Sequence, residues 1–245
     1  MIYAVREHKP GFFLTGDYGT GKTLLSRALM KECPGDKFKF VIISNPRLTA
    51  LDLIKEINHQ LKGSARSSHE VSKADLLRSI SDILEDNYNK GFYSVIIIDE
   101  AHSIEEDSIL EEIRLLLNFQ RDESILFTLL LLGQPPLLNR IERTPPLRQR
   151  LAIRYRLFPL NRHDTEEYVQ HRLNVAGSNK KIFVDSSYDE IYAFSKGVPR
   201  VINNVCDLAL LTGFIKKLNT VNADIILQVK SDLGDTVCSG EEEND

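Results

Sequence analysis

The sequence predicts an α/β fold in which helices flank a parallel sheet, followed by a smaller domain built only of helices. Apolar strand patterns alternate with amphipathic helix patterns from residue 12 to residue 157, as expected of a sheet covered on both faces. After Pro159 the strand patterns stop and only helix patterns follow. We therefore predict an α/β domain at residues 1–160, a helical domain at 161–233 and an acidic, disordered tail at 234–245.

Five short apolar runs are predicted to be the strands of this sheet. They cover residues 12–15, 38–43, 94–98, 126–132 and 152–157. Ligands of such sheets bind beyond the carboxyl ends of the strands. The residues that directly follow each run are therefore the first candidates for a functional site.

Helix patterns separate these strands and fill the second domain. Ser72 and Asp75 are spaced like a capping box, which predicts that a helix begins there. A loop of small and polar residues is predicted at 63–68. The predicted helices are 22–33, 51–61, 72–87, 109–119, 165–175, 187–195, 199–211 and 222–229.

Composition is that of an ordinary globular protein. The chain has 245 residues, of which 42% are hydrophobic and 27% are charged, and its net charge is −4. A broadly basic nucleic-acid surface is therefore not expected. Neither a membrane-spanning apolar run nor a signal-peptide pattern occurs, so we expect a cytoplasmic protein. Cys33, Cys206 and Cys238 are far apart and lack ligand spacing, which indicates reduced thiols without a metal or redox role.

The segment after the first strand matches the phosphate-binding pattern G-x-x-x-x-G-K-[ST] in full, between a predicted strand and a predicted helix. Its glycines let main-chain N–H groups surround phosphate oxygens, and the helix N-terminus adds a positive dipole end. Lys22 is expected to reach the β and γ phosphates, and Thr23 to bind Mg²⁺. We predict an ATP site that includes Gly16, Asp17, Tyr18, Gly19, Thr20, Gly21, Lys22, Thr23 and Leu24.

Two carboxylates follow the third predicted strand, Val95-Ile96-Ile97-Ile98-Asp99-Glu100. Asp99 at the strand end can hold Mg²⁺, partly through water, and Glu100 can polarise the attacking water. The tetrapeptide 99–102, DEAH, also has the letters of a helicase motif. We set that interpretation aside because a second helicase core does not fit in this length.

Four further polar residues are candidates for the site, but their spacing in the sequence does not decide between a functional and a structural role. Gln134 follows the fourth strand and would lie beside the γ phosphate if that strand neighbours the phosphate loop; otherwise it is a turn residue before two prolines. Arg148 and Arg150 precede the last strand. Either one of them projects toward the nucleotide of a neighbouring subunit, or both lie on a solvated helix end. Arg200, in the first turn of a helix, suggests a compensating anion.

Taken together, these motifs resemble the AAA+ superfamily of P-loop NTPases, and within it the general-secretion ATPase branch of the ExeA/GspA type. The resemblance covers residues 10–232 and includes IIIDEAHSI, LLLLGQPPL, LRQRLAIRYRLFPL and KGVPRVINNVCDLAL. It implies that Gln134 is sensor 1, that Arg150 is the arginine finger with Arg148 as its rival, and that Arg200 is the sensor 2 arginine. About ten residues precede the first strand, whereas family members use a longer segment to help hold adenine.

The resemblance implies an ATP hydrolase that works between subunits of a homo-oligomer, such as a ring, and remodels a partner complex of a secretion pathway. Such a protein would reach the inner membrane only through a partner. A DNA-associated AAA+ regulator of the transposition type is the alternative, supported by the arginine-rich segment 140–156, although nucleic acid is the less favoured partner. A slow nucleotide-dependent switch is the third hypothesis.

Overall fold

The computed structural model describes residues 1–63, 72–121, 124–178 and 180–237. They form two compact units. The first contains Met1–Tyr18 and Lys22–Leu157, and the second contains Gly19–Gly21 and the described residues from Phe158 onward. Most of the predicted loop at 63–68 lies outside the described residues, as do Cys238 and the last eight residues of the predicted acidic tail.

The first unit is built on a five-stranded parallel sheet with the strand order β2-β3-β6-β1-β7. This order confirms the predicted fold class, because all four neighbouring pairs are parallel. A small antiparallel pair, β4–β5, lies apart from the sheet and was not predicted. The strands are β1 Gly11–Gly16, β2 Phe38–Ile43, β3 Tyr93–Ile98, β4 Gln120–Arg121, β5 Ser124–Ile125, β6 Phe127–Gly133 and β7 Ile153–Leu157.

Helices cover both faces of this sheet, so its central strands are buried throughout. In β3, Ile96 and Ile98 belong to the core on one face, whereas Val95 and Ile97 belong to the core on the other. Successive strand residues point to opposite faces, and a strand buried on both faces has apolar residues at every position. This is why residues 95–98 form a continuous apolar run.

Seven α-helices belong to the described part of the first unit, and their starts follow from local sequence. The predicted helix start at Ser72 is confirmed as an N-cap, since the Asp75 N–H donates to Ser72 Oγ at 3.2 Å and the Ser72 hydroxyl donates to Asp75 Oδ2 at 2.6 Å. Neither α6 nor α7 was predicted, although each has proline in its first turn, where no partner for the missing N–H is needed. The helices are α1 Ile2–Arg6, α2 Lys22–Glu32, α3 Ala50–Lys62, α4 Lys73–Asn89, α5 Asp107–Leu116, α6 Pro136–Glu142 and α7 Pro145–Arg150.

One edge of the sheet is covered by a side chain rather than by another strand. The Ile42 N–H of edge strand β2 donates to Gln60 Oε1 at 2.8 Å. In return, Gln60 Nε2 donates to the Ile42 carbonyl at 2.9 Å. The amide of Gln60, on α3, thus satisfies both main-chain groups of Ile42, as a neighbouring strand would.

The second unit is helical, with helices α8 Arg162–Val175, α9 Asp185–Ser195, α10 Pro199–Ile215 and α11 Ala223–Val237. They surround a separate apolar core that includes Phe183, Tyr188 and Ile226. Helix α11 continues eight residues beyond its predicted end, so residues 234–237 of the predicted tail are helical. Leu233 packs against the core in this extension, which explains why the helix continues. In the described part of the chain, no helix combines the length and the hydropathy needed to cross a bilayer.

The two described cysteines are buried free thiols. Cys33 follows α2, and Cys206 lies within α10. Burial in an apolar environment raises the pKa of Cys33 and raises that of Cys206 to about 12. Both side chains therefore act as small apolar core residues near neutral pH.

Two glycines of the second unit can be used to test how much its stability depends on the close approach of the Leu160 backbone to Gly197. Gly197 and Gly177 both have positive φ, +76° and +88°. An added Cβ at Gly197 would lie 1.8 Å from the Leu160 carbonyl oxygen, whereas one at Gly177 meets no atom within 4 Å. We expect Gly177→Ala to lower the free energy of unfolding by about 1 kcal/mol, and Gly197→Ala by more than ~3 kcal/mol because the chain must also shift.

Urea unfolding followed by circular dichroism measures both losses. Gly177→Ala is the matched control, because it carries the same cost of positive φ without the collision. Equal shifts in the unfolding midpoint would show that the approach of Leu160 to Gly197 is not a constraint.

Candidate functional site

Three neighbouring strands have their carboxyl ends side by side at the same end of the sheet. Strand β6 pairs in parallel with both β3 and β1, so their carboxyl ends meet there. Asp99 follows β3, Gln134 follows β6, and the glycine-rich segment follows β1. The condition on which the Gln134 hypothesis depended, that its strand neighbours the phosphate loop, is thus met.

Lys22 is the first residue of α2 and its side chain is buried at the glycine-rich segment. Its ammonium group donates to the Gly16 carbonyl at 2.7 Å and to the Asp17 carbonyl at 3.1 Å. A buried charge must be hydrogen-bonded to be tolerated, and these carbonyls supply those bonds. The structure thus holds a positive charge at the start of a helix, where main-chain N–H groups also attract anions.

Thr23 and Asp99 form the second half of the site. Thr23 Oγ1 donates to Asp99 Oδ2 at 2.5 Å, and the other oxygen, Asp99 Oδ1, accepts from the Glu100 N–H at 2.8 Å. Asp99 is only 5% exposed. A hydroxyl and a carboxylate in contact are the hard oxygen ligands that Mg²⁺ selects. The donor set therefore fits the predicted metal.

Glu100 has a backbone conformation that is rare for residues other than glycine. Its φ is 52° and its ψ is 33°, in the left-handed region. Its carbonyl accepts from the Ser103 N–H at 2.9 Å and from the Ser103 hydroxyl at 2.7 Å, so two hydrogen bonds from Ser103 stabilise the turn. Such conformations cost about 1–3 kcal/mol and are concentrated at functional sites. The turn brings the Glu100 carboxylate, 41% exposed, to the same edge of the sheet.

His102 joins the ends of β3 and β6, and sequence reasoning had given it no role. Its Nε2 lies 2.8 Å from Gln134 Nε2 and 3.4 Å from Glu100 Oε2. The only signal in the sequence was its place as the fourth letter of the tetrapeptide 99–102. Glu100, His102 and Gln134 thus form a connected polar group beside the Thr23–Asp99 pair.

The two rival arginines have different environments within the first unit. The Arg150 guanidinium donates to the Leu117 carbonyl and to Asn118 Oδ1, each at 3.0 Å, at the end of α5. Arg148 forms an exposed ion pair with Glu142 at 3.3 Å. Within this chain Arg150 therefore connects α7 to α5, while the Arg148 side chain lies at the surface.

Arg200 and Gly19 both belong to the second unit. The Arg200 N–H lies 3.3 Å from the Gly19 carbonyl oxygen. An added Cβ at Gly19, whose φ is +79°, would come within 3.0 Å of the Val198 and Arg200 side chains. This contact explains the need for glycine at position 19. The role of Arg200 toward a nucleotide stays a prediction.

Comparison with known proteins identifies relatives of the whole arrangement. The family described as "AAA domain" matches residues 5–141. General secretion pathway protein A of Aeromonas hydrophila is 36% identical over 231 residues, which are 93% of this chain and 41% of that protein. The chain thus spans about two fifths of the length of this relative. The resemblance inferred from the sequence motifs is confirmed.

Solved structures show the same fold at low identity. The Aeropyrum pernix ORC2 protein aligns with a TM-score of 0.67 and 14% identity, over 91% of this chain and 62% of that one. The RuvB Holliday junction branch migration motor of Thermotoga maritima aligns with a TM-score of 0.63 and 21% identity, over 91% and 61% of the two chains. These likenesses confirm the sheet and helix arrangement.

The contacts of Arg150 and Arg148 predict different effects on stability. We expect Arg150→Ala to lower the free energy of unfolding by about 1–2 kcal/mol, because the Leu117 carbonyl and Asn118 lose a charged donor. Arg148→Ala should change it by less than about 0.5 kcal/mol, since exposed ion pairs contribute little. Urea titration of the two variants decides the point; a larger loss for Arg148→Ala would contradict the described contacts.

Proposed function

Because the chain belongs to the AAA domain family of ATPases, we propose that it binds Mg·ATP at the carboxyl edge of its sheet and hydrolyses it. Hydrolysis takes place between subunits of a homo-oligomer and drives the remodelling of a protein partner. The observation that carries this proposal is the contact of Thr23 with Asp99 beside the buried ammonium of Lys22.

Lys22 and the loop bind the phosphates. The ammonium group carries three N–H donors, two of which lie on the Gly16 and Asp17 carbonyls. Phosphate oxygens are stronger acceptors than carbonyls, so the side chain can exchange these bonds for bonds to the β and γ phosphates. Thr23 and Asp99 would hold Mg²⁺, which neutralises charge on these phosphates when bound.

Glu100 acts as the general base. Its carboxylate is partly exposed and follows directly on Asp99, so a water beside the γ phosphate can transfer its proton to a Glu100 oxygen. The left-handed turn fixes the backbone of Glu100, which limits the positions that the carboxylate can take. Catalysis then comes mostly from positioning and charge stabilisation.

An arginine from the adjacent subunit completes the site in this proposal. Arg148 and Arg150 stay the two candidates, with Arg200 as the sensor of the second unit. Arg150 would have to leave Leu117 and Asn118 to reach another subunit, whereas Arg148 would leave only an exposed ion pair.

The relative of Aeromonas hydrophila is named for the general secretion pathway, and this supports a partner within a secretion complex. The protein would be cytoplasmic and would meet the inner membrane through that partner.

The DNA-associated alternative has less support from the first unit. The arginine-rich segment 140–156 was its basis, but several of these guanidinium groups are in contacts of the chain itself. Arg140 donates to the Ile104 carbonyl and pairs with Asp107, and Arg154 pairs with Glu142. ATPase rates measured with and without duplex DNA at two salt concentrations test this alternative, since phosphate contacts weaken steeply with salt.

Removal of the Lys22 ammonium group should weaken nucleotide binding strongly. We expect Lys22→Ala to weaken the binding of a fluorescent ATP analogue by at least about a hundredfold, because the buried positive charge at the phosphates is lost. Lys31→Ala is the matched control, at an exposed position near the other end of the same helix. Equal affinity of Lys22→Ala and the parent protein would overturn the assigned site.

Neutralisation of the base should separate binding from turnover. We expect Glu100→Gln to bind ATP like the parent protein and to hydrolyse it at least about a hundredfold more slowly. Glu105→Gln, at an exposed position five residues away, is the control. Steady-state phosphate release measures both variants, and near-parental turnover by Glu100→Gln would exclude Glu100 as the base.

A further inference from the structure

The imidazole ring of His102 lies beside both Glu100, the proposed base, and Gln134, the residue proposed to face the γ phosphate. Its Nε2 is within 2.8 Å of the Gln134 amide and 3.4 Å from the Glu100 carboxylate. We propose that His102 is a positioning residue that couples Gln134 to Glu100, so that the carboxylate is oriented for base work only when Gln134 has left the ring. This inference rests on the proposed ATP hydrolysis.

The coupling follows from the chemistry of one ring nitrogen. Nε2 carries either one hydrogen or one lone pair, and both lie in the ring plane, so it makes a single strong hydrogen bond. The Gln134 amide can offer either its NH₂ group or its oxygen to this nitrogen, while the Glu100 carboxylate can only accept. Gln134 and Glu100 therefore compete for His102 Nε2.

The other ring nitrogen leaves the choice open. Among the described residues, His102 Nδ1 is buried and has no hydrogen-bond partner. A histidine whose role is fixed usually has its second nitrogen bonded to a carbonyl or carboxylate, which sets the tautomer. Because no such bond fixes the tautomer, His102 can keep its hydrogen on Nε2. Nε2 donates this hydrogen either to the Gln134 amide oxygen, once a 180° turn of the amide presents that oxygen, or to Glu100 Oε2, so no proton is gained or lost in the exchange.

The backbone fixes the positions from which the side chains of Glu100, His102 and Gln134 extend. Ile98 pairs with Leu131 across β3 and β6, and two hydrogen bonds from Ser103 hold the carbonyl of Glu100. The end of β6 also approaches the turn closely, since a Cβ added at Gly133 would lie 3.2 Å from the main-chain nitrogen of His102. The exchange of partners is thus a rotation of side chains on a fixed frame.

The order of events is then determined by the γ phosphate. When Gln134 turns toward the phosphate, Nε2 loses its closer partner and donates to Glu100 Oε2. That bond holds the carboxylate in one orientation toward the attacking water. When the phosphate is absent, Gln134 bonds to Nε2 again and His102 no longer orients the Glu100 carboxylate. Glu100 is then not positioned to accept a proton from water before ATP is bound.

Two variants of His102 test this coupling by turnover and by affinity. We expect His102→Ala to lower kcat at least about tenfold while the affinity for a non-hydrolysable ATP analogue stays within about twofold, since orientation and not binding is lost. His102→Gln should recover most of the lost kcat, because its terminal amide can donate near the position of Nε2. Thermal unfolding of each variant shows whether the fold is kept.

A double-mutant cycle separates coupling from mere packing. If His102 acts only through the Glu100 carboxylate, His102→Ala combined with Glu100→Gln should be no slower than Glu100→Gln alone. Multiplying effects of the two changes, or parental kcat in His102→Ala, would overturn the coupling. Loss of turnover in Glu100→Gln with parental turnover in His102→Ala would overturn this inference and leave the proposed function intact. Parental turnover in both would overturn both.

Discussion

The hydrogen bond from Thr23 Oγ1 to Asp99 Oδ2 joins two chain segments that are 76 positions apart. It passes over the end of β6, because the strand order puts that strand between β3 and β1. The bond can form only if all three strands are parallel and in register. The site therefore depends on the pairing of these three strands as well as on the two local motifs.

Asp99 also shows how the buried core changes into a polar edge. The residues before it are apolar and pack on both faces of the sheet, while its own carboxylate is nearly buried as well. Burying a carboxylate is costly unless its oxygens are hydrogen-bonded. One oxygen accepts from Thr23 and the other from the Glu100 N–H. A single carboxylate thus stabilises both the start of α2 and the turn that presents Glu100.

The sequence was informative where a residue's role depends on its immediate neighbours. The strands of the sheet, the phosphate-binding motif and the cap at Ser72 are all local patterns, and the strand order then brought Gln134 beside the loop. Helices α6 and α7 were not predicted, because their prolines were interpreted as turn residues. Proline is equally suited to the first turn of a helix.

Other features of the site depend on contacts between segments that are far apart in the sequence, which the spacing of motifs does not reveal. The contact of His102 with Gln134 requires the pairing of β3 with β6 and the left-handed turn at Glu100, and a glutamate gives no hint of that conformation. The attachment of Arg150 to the end of α5 is likewise a contact between segments about thirty residues apart. Long-range geometry of this kind becomes visible only in the folded chain.

The amide of Gln60 has a consequence for how copies of this protein can meet. A strand from another molecule that approached β2 at Ile42 would find both main-chain groups already satisfied, so extension of the sheet is blocked at that point. Self-association through side-chain surfaces remains open to a protein proposed to work as an oligomer. Replacing Gln60 with alanine would leave the Ile42 N–H and carbonyl open to pairing with a strand of another molecule.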